Sequence, residues 1–159
     1  MITSDNRPIL LCYDCTNSSR HAIEAAGALF RGRRAIVLHV YFPMKAMAAA
    51  PEGAPWTEQA IRQGALKLVD EGVRVAVSAG FDAVPEVAPC SSQGTDHAIL
   101  DAAAQYDVGL IVLGARASSS FPFPPGSVSH GVAQHTFLPI LLVPATQFPA
   151  AAESRLTTS

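Results

Sequence analysis

Short, uninterrupted apolar runs alternate along this chain with longer stretches of helical spacing, and that alternation leaves few folds open. The runs at 9–12, 35–41, 110–113 and 140–143 are strand-sized, and their residues do not alternate with polar ones. Continuous apolar character means burial on both faces, the mark of a parallel sheet. Strands separated by helices then give βα units with right-handed crossovers.

The spacing predicts five strands and four helices. Strand one is 9–12, with Pro8 tolerated at its start. A polar turn, Asp14-Cys-Thr-Asn-Ser-Ser, leads into a helix to about Arg31, whose apolar face is Ala22, Ile23, Ala26, Leu29 and Phe30. Gly32 follows as a helix-ending glycine. Strand two is 35–41, and 42–55 reads as a loop. A second helix is expected over 56–71, stopped by Gly72, with strand three at 73–78. After a Pro/Gly/Ser-rich connection, Thr95 is expected to cap a third helix to about Tyr106. Strand four is 108–113, a fourth helix is 127–136, and strand five is 139–143. The expected fold is α/β: a five-stranded parallel doubly wound sheet with helices on both faces.

A length of 159 residues suits one domain. It is expected to span 1–145, with 146–159 a disordered polar tail. Apolar residues at 49% and charged residues at 15% support a real core. The net charge of −2 gives no electrostatic case for nucleic acid. The basic run Arg31, Arg33 and Arg34 sits at a helix end, where the dipole favours cations. No stretch is long enough to span a membrane and the N-terminus has no signal-peptide core, so a cytoplasmic protein with no membrane partner is expected. Three cysteines do not make a disulfide framework.

In such a sheet a ligand lies beyond the carboxyl ends of the strands, where the winding reverses. The reversal is expected between strands one and four, so the loops 12–18 and 114–126 should meet there. Asp14 ends the first strand and is placed to accept hydrogen bonds from a ribose or base. Gly126-Ser127 opens the last helix, whose free amides and partial positive charge favour anions. Arg116 adds a mobile cation. Each has a structural reading too: Asp14 as a turn residue, Ser127 as an N-cap, Gly114 as a hinge.

Leu113-Gly-Ala-Arg-Ala117, then Gly126-Ser-Val-Ser129, His135 and Pro139-Ile-Leu-Leu-Val-Pro144 resemble the C-terminal motif of the UspA-like universal stress proteins. Ile9-Leu-Leu-Cys-Tyr-Asp14, Ser18-Ser19, Ala22-Ile23 and Leu38-His-Val40 fit the family's N-terminal half, so the resemblance runs over roughly 7–145. It implies sheet order 3-2-1-4-5, the adenine nucleotide alpha hydrolase-like arrangement. It implies a dimeric stress-response protein that binds ATP or AMP, with Mg accompanying ATP, and that is not an enzyme, slow ATP hydrolysis being left open. The site residues it implies are Asp14 and the backbone of Val40 for adenine, and Leu113, Gly114, Arg116, Gly126, Ser127 and Val128 for ribose and phosphates. Two positions depart from the family pattern. Ala117 replaces a glycine, and its methyl disfavours φ > 0 and crowds a phosphate. The stretch to Gly126 holds eight residues where the pattern has nine. A member that binds no nucleotide and acts as an interaction module is therefore one alternative.

A second alternative is a thiol–disulfide oxidoreductase, from Cys12-Tyr-Asp-Cys15 at a strand-to-helix junction. Against it, Cys12 reads as a strand residue and the chain lacks the hairpin pattern of thioredoxin-like folds. Ser127-Val-Ser129-His130-Gly131 is not a nucleophile elbow, since no strand precedes it. His39 reads as a satisfied interior residue, and His130 and His135 do not share a helix face. No metal site is expected. The uncharged last strand, 140–143, would be a sheet edge open to pairing, so a two-fold homodimer through antiparallel final strands is expected.

Overall fold

Among the residues that the computed structural model describes, 5–43, 57–115 and 127–145, strands and helices alternate strictly. They run β1 (Ile9–Cys12), α1 (Asn17–Leu29), β2 (Arg34–Tyr41), α2 (Glu58–Ser78), β3 (Asp82–Pro89), α3 (Thr95–Gln105), β4 (Leu110–Ala115), α4 (Val128–His135) and β5 (Ile140–Pro144). The sheet is parallel throughout, in the order β3-β2-β1-β4-β5. The winding reverses between β1, which pairs with β2 on one side, and β4 on the other. The expected order is the observed one.

Burial on both faces explains the unbroken apolar strands. In β1, Leu10 and Leu11 are both 0% exposed although they point to opposite faces. Ile9, Leu11 and Tyr13 pack with Ala22, Ile23 and Ala26 of α1 and Ala65, Val69 and Ala76 of α2. Leu10 packs on the other side with Ile36, Leu38, Ile99, Ala102, Ala103 and Val132, so α3 and α4 cover that face. Each such buried aliphatic contributes about 1.5–3 kcal/mol.

The second helix and third strand differ from expectation. Residues 73–78, expected as a strand, are the last turns of α2, and Gly72 lies inside the helix. The buried positions Ala65, Val69, Gly72 and Ala76 carry one helical stripe straight through the glycine. Gly72 is there for contact: a Cβ on it would meet Tyr13 Cδ1 at 2.7 Å and Val37 Cγ1 at 2.9 Å.

The true third strand, with Pro85 and Pro89 in it, lies inside the stretch expected as a Pro/Gly/Ser-rich connection. It is an edge strand. The amides of Asp82 and Cys90 donate into the β2 side, to the Arg33 and Tyr41 carbonyls. Alternation turns positions 85 and 89 outward, where proline removes no ladder bond. Thr95 is also not a cap. Gly94, at φ +117, occupies the N-cap position of α3 and makes no side-chain cap bond.

The expected tail at 146–159 lies outside the described residues, as do Arg116, Ala117 and Gly126. Among the described residues no helix is long and apolar enough to cross a membrane.

Candidate nucleotide site

The turn after β1 is built from its own side chains. Asp14 Oδ1 accepts hydrogen bonds from Thr16 Oγ1 at 2.5 Å and from the Thr16 amide at 3.1 Å. Thr16 is the N-cap of α1, and its hydroxyl accepts from the Ser19 amide at 3.2 Å. Ser19, almost fully buried, accepts from the Asp14 amide at 3.3 Å and donates to the Thr16 carbonyl at 3.0 Å. Cys15 takes φ +67 in this turn. The Tyr13 carbonyl is held from β2 by His39 Nδ1 at 2.9 Å, which makes His39 a satisfied interior residue.

That turn is fastened across the switch point. Ser18 Oγ donates to the Ala115 carbonyl at the end of β4, at 2.8 Å. The contact requires Gly114. A Cβ there would lie 2.7 Å from both the carbonyl oxygen and the Oγ of Ser18. The hinge reading of Gly114 therefore gives way to one of close approach between β4 and α1.

On the far side stands the start of α4. Ser127 is its N-cap, accepts from the His130 amide at 3.2 Å, and lies 3.2 Å, Oγ to Oγ, from Ser129. The first amides of a helix have no acceptor within it and carry its positive end. Packing against α3 fixes its position: a Cβ on Gly131 would lie 2.3 Å from Asp96 Oδ2.

These pieces surround one cavity of about 450 Å³ beyond the carboxyl ends of β1 and β4. β1 and its turn give Cys12, Tyr13, Asp14 and Thr16, and α1 gives Ser18 and Ser19. β2 and the residue after it give Leu38, Val40 and Phe42, and α3 gives Thr95 and Ile99. Leu113, Gly114, Ser127, Val128 and Ser129 complete the wall. Asp14, Val40, Leu113, Gly114, Ser127 and Val128 are thus brought together at one cleft. Arg116 and Gly126 lie outside the described residues. The sequence reading missed the contributions of Phe42, Thr95, Ile99 and Ser129. For Phe42 a signal existed: it follows Leu38 and Val40 at strand spacing.

The cysteine pair behaves as a structural feature. Burial, with the Asp14 charge adding to it, pushes the Cys12 thiol up to about 12. Burial and then the Glu71 and Asp14 charges raise Cys15 as well. Both are free thiols.

The family model described as the Universal stress protein family matches residues 5–144. The chain belongs to the universal stress protein family. Solved structures share its fold. A universal stress protein in complex with cAMP has 20% identity and TM-score 0.64, over 86% of this chain and 96% of that one. The universal stress protein from Archaeoglobus fulgidus in complex with dAMP has 18% identity and TM-score 0.62, over 86% and 97%. A family protein from Arabidopsis thaliana with AMP bound has 15% identity and TM-score 0.60, over 92% and 94%. No curated protein sequence matches the chain.

Proposed function

We propose that this universal stress protein binds an adenine nucleotide in the cleft between the Asp14 turn and the start of α4, and that it acts as a nucleotide-responsive cytoplasmic homodimer without catalysing a reaction. One observation carries the reading: Asp14 and Ser127, 113 positions apart in the chain, line the same cavity at the β1/β4 switch point. Its size suits a nucleoside phosphate, being within the usual range for small-molecule sites. An acidic acceptor faces one end, and a helix start with two serine hydroxyls faces the other. The nucleotide complexes of the fold's relatives, with cAMP, dAMP and AMP, support the same ligand class.

AMP and ATP are both candidates. Among the described residues no cluster of three His, Cys, Asp or Glu side chains can hold a metal ion, so the Mg²⁺ expected with ATP would be carried on its phosphates. The thiol–disulfide alternative finds no support, because an activated cysteine needs a lowered pKa and both thiols here are raised.

Calorimetric titration with AMP, ATP and ATP–Mg²⁺, beside a thermal melt, tests the proposal. A ligand at 100 times its Kd should add about 2.7 kcal/mol of stability and raise Tm. Absence of both heat and a Tm shift with every adenine nucleotide would leave the interaction-module alternative.

A further inference from the structure

The cavity is polarised along its length. Its α4 end carries Ser127, Ser129 and the first helix amides, while its β2 side is a row of apolar side chains. Leu38, Val40 and Phe42 are two residues apart, so they share the sheet face that α3 covers. Tyr41 and Val37, between and before them, belong to the opposite core under α1 and α2. The row climbs from floor to mouth: Leu38 is 1% exposed, Val40 is half-buried and Phe42 is 58% exposed. A phenyl ring that is largely open to solvent and still lines the cavity offers its surface to whatever enters.

From this gradient we propose that Phe42 is the base-stacking residue of the site. The inference rests on the nucleotide reading above and deepens it. A phosphate placed at the α4 amides leaves the base at the opposite, apolar end. There an aromatic ring stacks on the face of the base. Stacking on an aromatic side chain changes affinity by roughly 5- to 150-fold per base.

The test is titration of the full chain with AMP, using wild type, Phe42→Ala, Phe42→Leu and Phe42→Trp. Because Phe42 is mostly exposed, all three variants should melt near the wild-type temperature without ligand. Stacking predicts that Phe42→Ala and Phe42→Leu both weaken AMP at least about fivefold. Phe42→Trp should retain or exceed wild-type affinity. A smaller loss in Phe42→Ala, or wild-type affinity in Phe42→Leu, overturns the stacking role while leaving nucleotide binding intact. Wild-type protein that does not bind AMP overturns the reading beneath it, and the stacking role with it.

Discussion

Gly72, inside α2, and Tyr13, directly after β1, touch so closely that a single added carbon would lie 2.7 Å from the ring's Cδ1. Tyr13 is 2% exposed and directly precedes Asp14, so the contact joins helix packing to the position of the site turn. The same helix holds Gly64, which has nothing within 4 Å of its missing Cβ. The two glycines should therefore respond oppositely to alanine. Helix propensity favours alanine by about 1 kcal/mol at either position. Overpacking at Gly72 costs about 1–3 kcal/mol against that gain, since neither a buried ring nor Val37 can swing away. Gly72→Ala should lower stability in urea melts by up to about 2 kcal/mol, the overpacking cost less the propensity gain. Gly64→Ala should raise it by up to about 1 kcal/mol. Equal shifts in one direction would mean that the Tyr13 contact plays no part.

Gly114 makes the corresponding test at the cleft. Its neighbour is partly backbone, the Ser18 carbonyl, which a side-chain rotation cannot relieve. Gly114→Ala should force β4 and α1 apart and break the bond from Ser18 Oγ to the Ala115 carbonyl. A stability loss of about 1–3 kcal/mol is expected. AMP affinity should fall as well, because Gly114 and Ser18 both line the cavity. Ser18→Ala removes the bond without the clash, so it should show a smaller loss in both measurements. Unchanged AMP affinity in Gly114→Ala would separate this junction from the site.

The core of this fold could be read from sequence because β1, β2 and β4 lie under helices on both sides, which forces unbroken apolar runs. The third strand could not. Val73, Val75 and Val77 alternate as a half-buried strand would, yet in the helix Val77 is 55% exposed and Ala76 is buried. Short-range alternation lost to the longer stripe of small residues that lets α2 lie against the sheet. The real strand hid behind Pro85 and Pro89, which only its edge position makes harmless. At the site, Asp14 and Ser127 were legible because turn and cap chemistry is local. Thr95 and Ile99 were not, because their role comes from how α3 stands against the switch point, whereas Phe42 continues the strand spacing of Leu38 and Val40.

Alkaline pH should act on the half-buried Cys12 thiol. Cys12 is raised from 9.0 to about 12, so the folded state holds its proton more tightly than the unfolded state. For a group whose folded pKa is raised, the contribution is complete below pH 9 and is lost as pH climbs towards 12. Tyr13, also raised to about 12 chiefly by burial, adds to the loss from about its ordinary value of 10 upward. Chemical denaturation between pH 8 and 11 should show falling stability, with a shallower slope in Cys12→Ala. Thiol labelling at pH 8 should modify exposed Cys15 well before Cys12. Equal labelling rates, or identical slopes in the two proteins, would contradict the partial burial of Cys12.

The two sheet edges are unequal, and the difference argues where a second copy would pair. On β3 the outward positions include Pro85 and Pro89, and the outward Val87 amide donates to Glu86 Oε1 at 3.0 Å. That edge is closed to a further strand. The β5 edge carries Ile140, Leu141 and Leu142, all half-exposed and uncharged, next to a fully exposed Phe137. The Ile111 amide donates to the Pro139 carbonyl at 3.1 Å. Parallel pairing then turns the amides of Leu141 and Val143 towards β4 and those of Ile140 and Leu142 outward. A two-fold axis through this edge would pair the outward amides of Leu142 and Ile140 with carbonyls of the same strand in the other copy. Leu142→Pro removes one of those donors without removing a bond to β4. Sedimentation of wild type at tens of micromolar should give a dimer, and Leu142→Pro should shift it to monomer with little change in the circular dichroism spectrum. A wild-type monomer at that concentration, or a variant that still dimerises, would rule out pairing through β5.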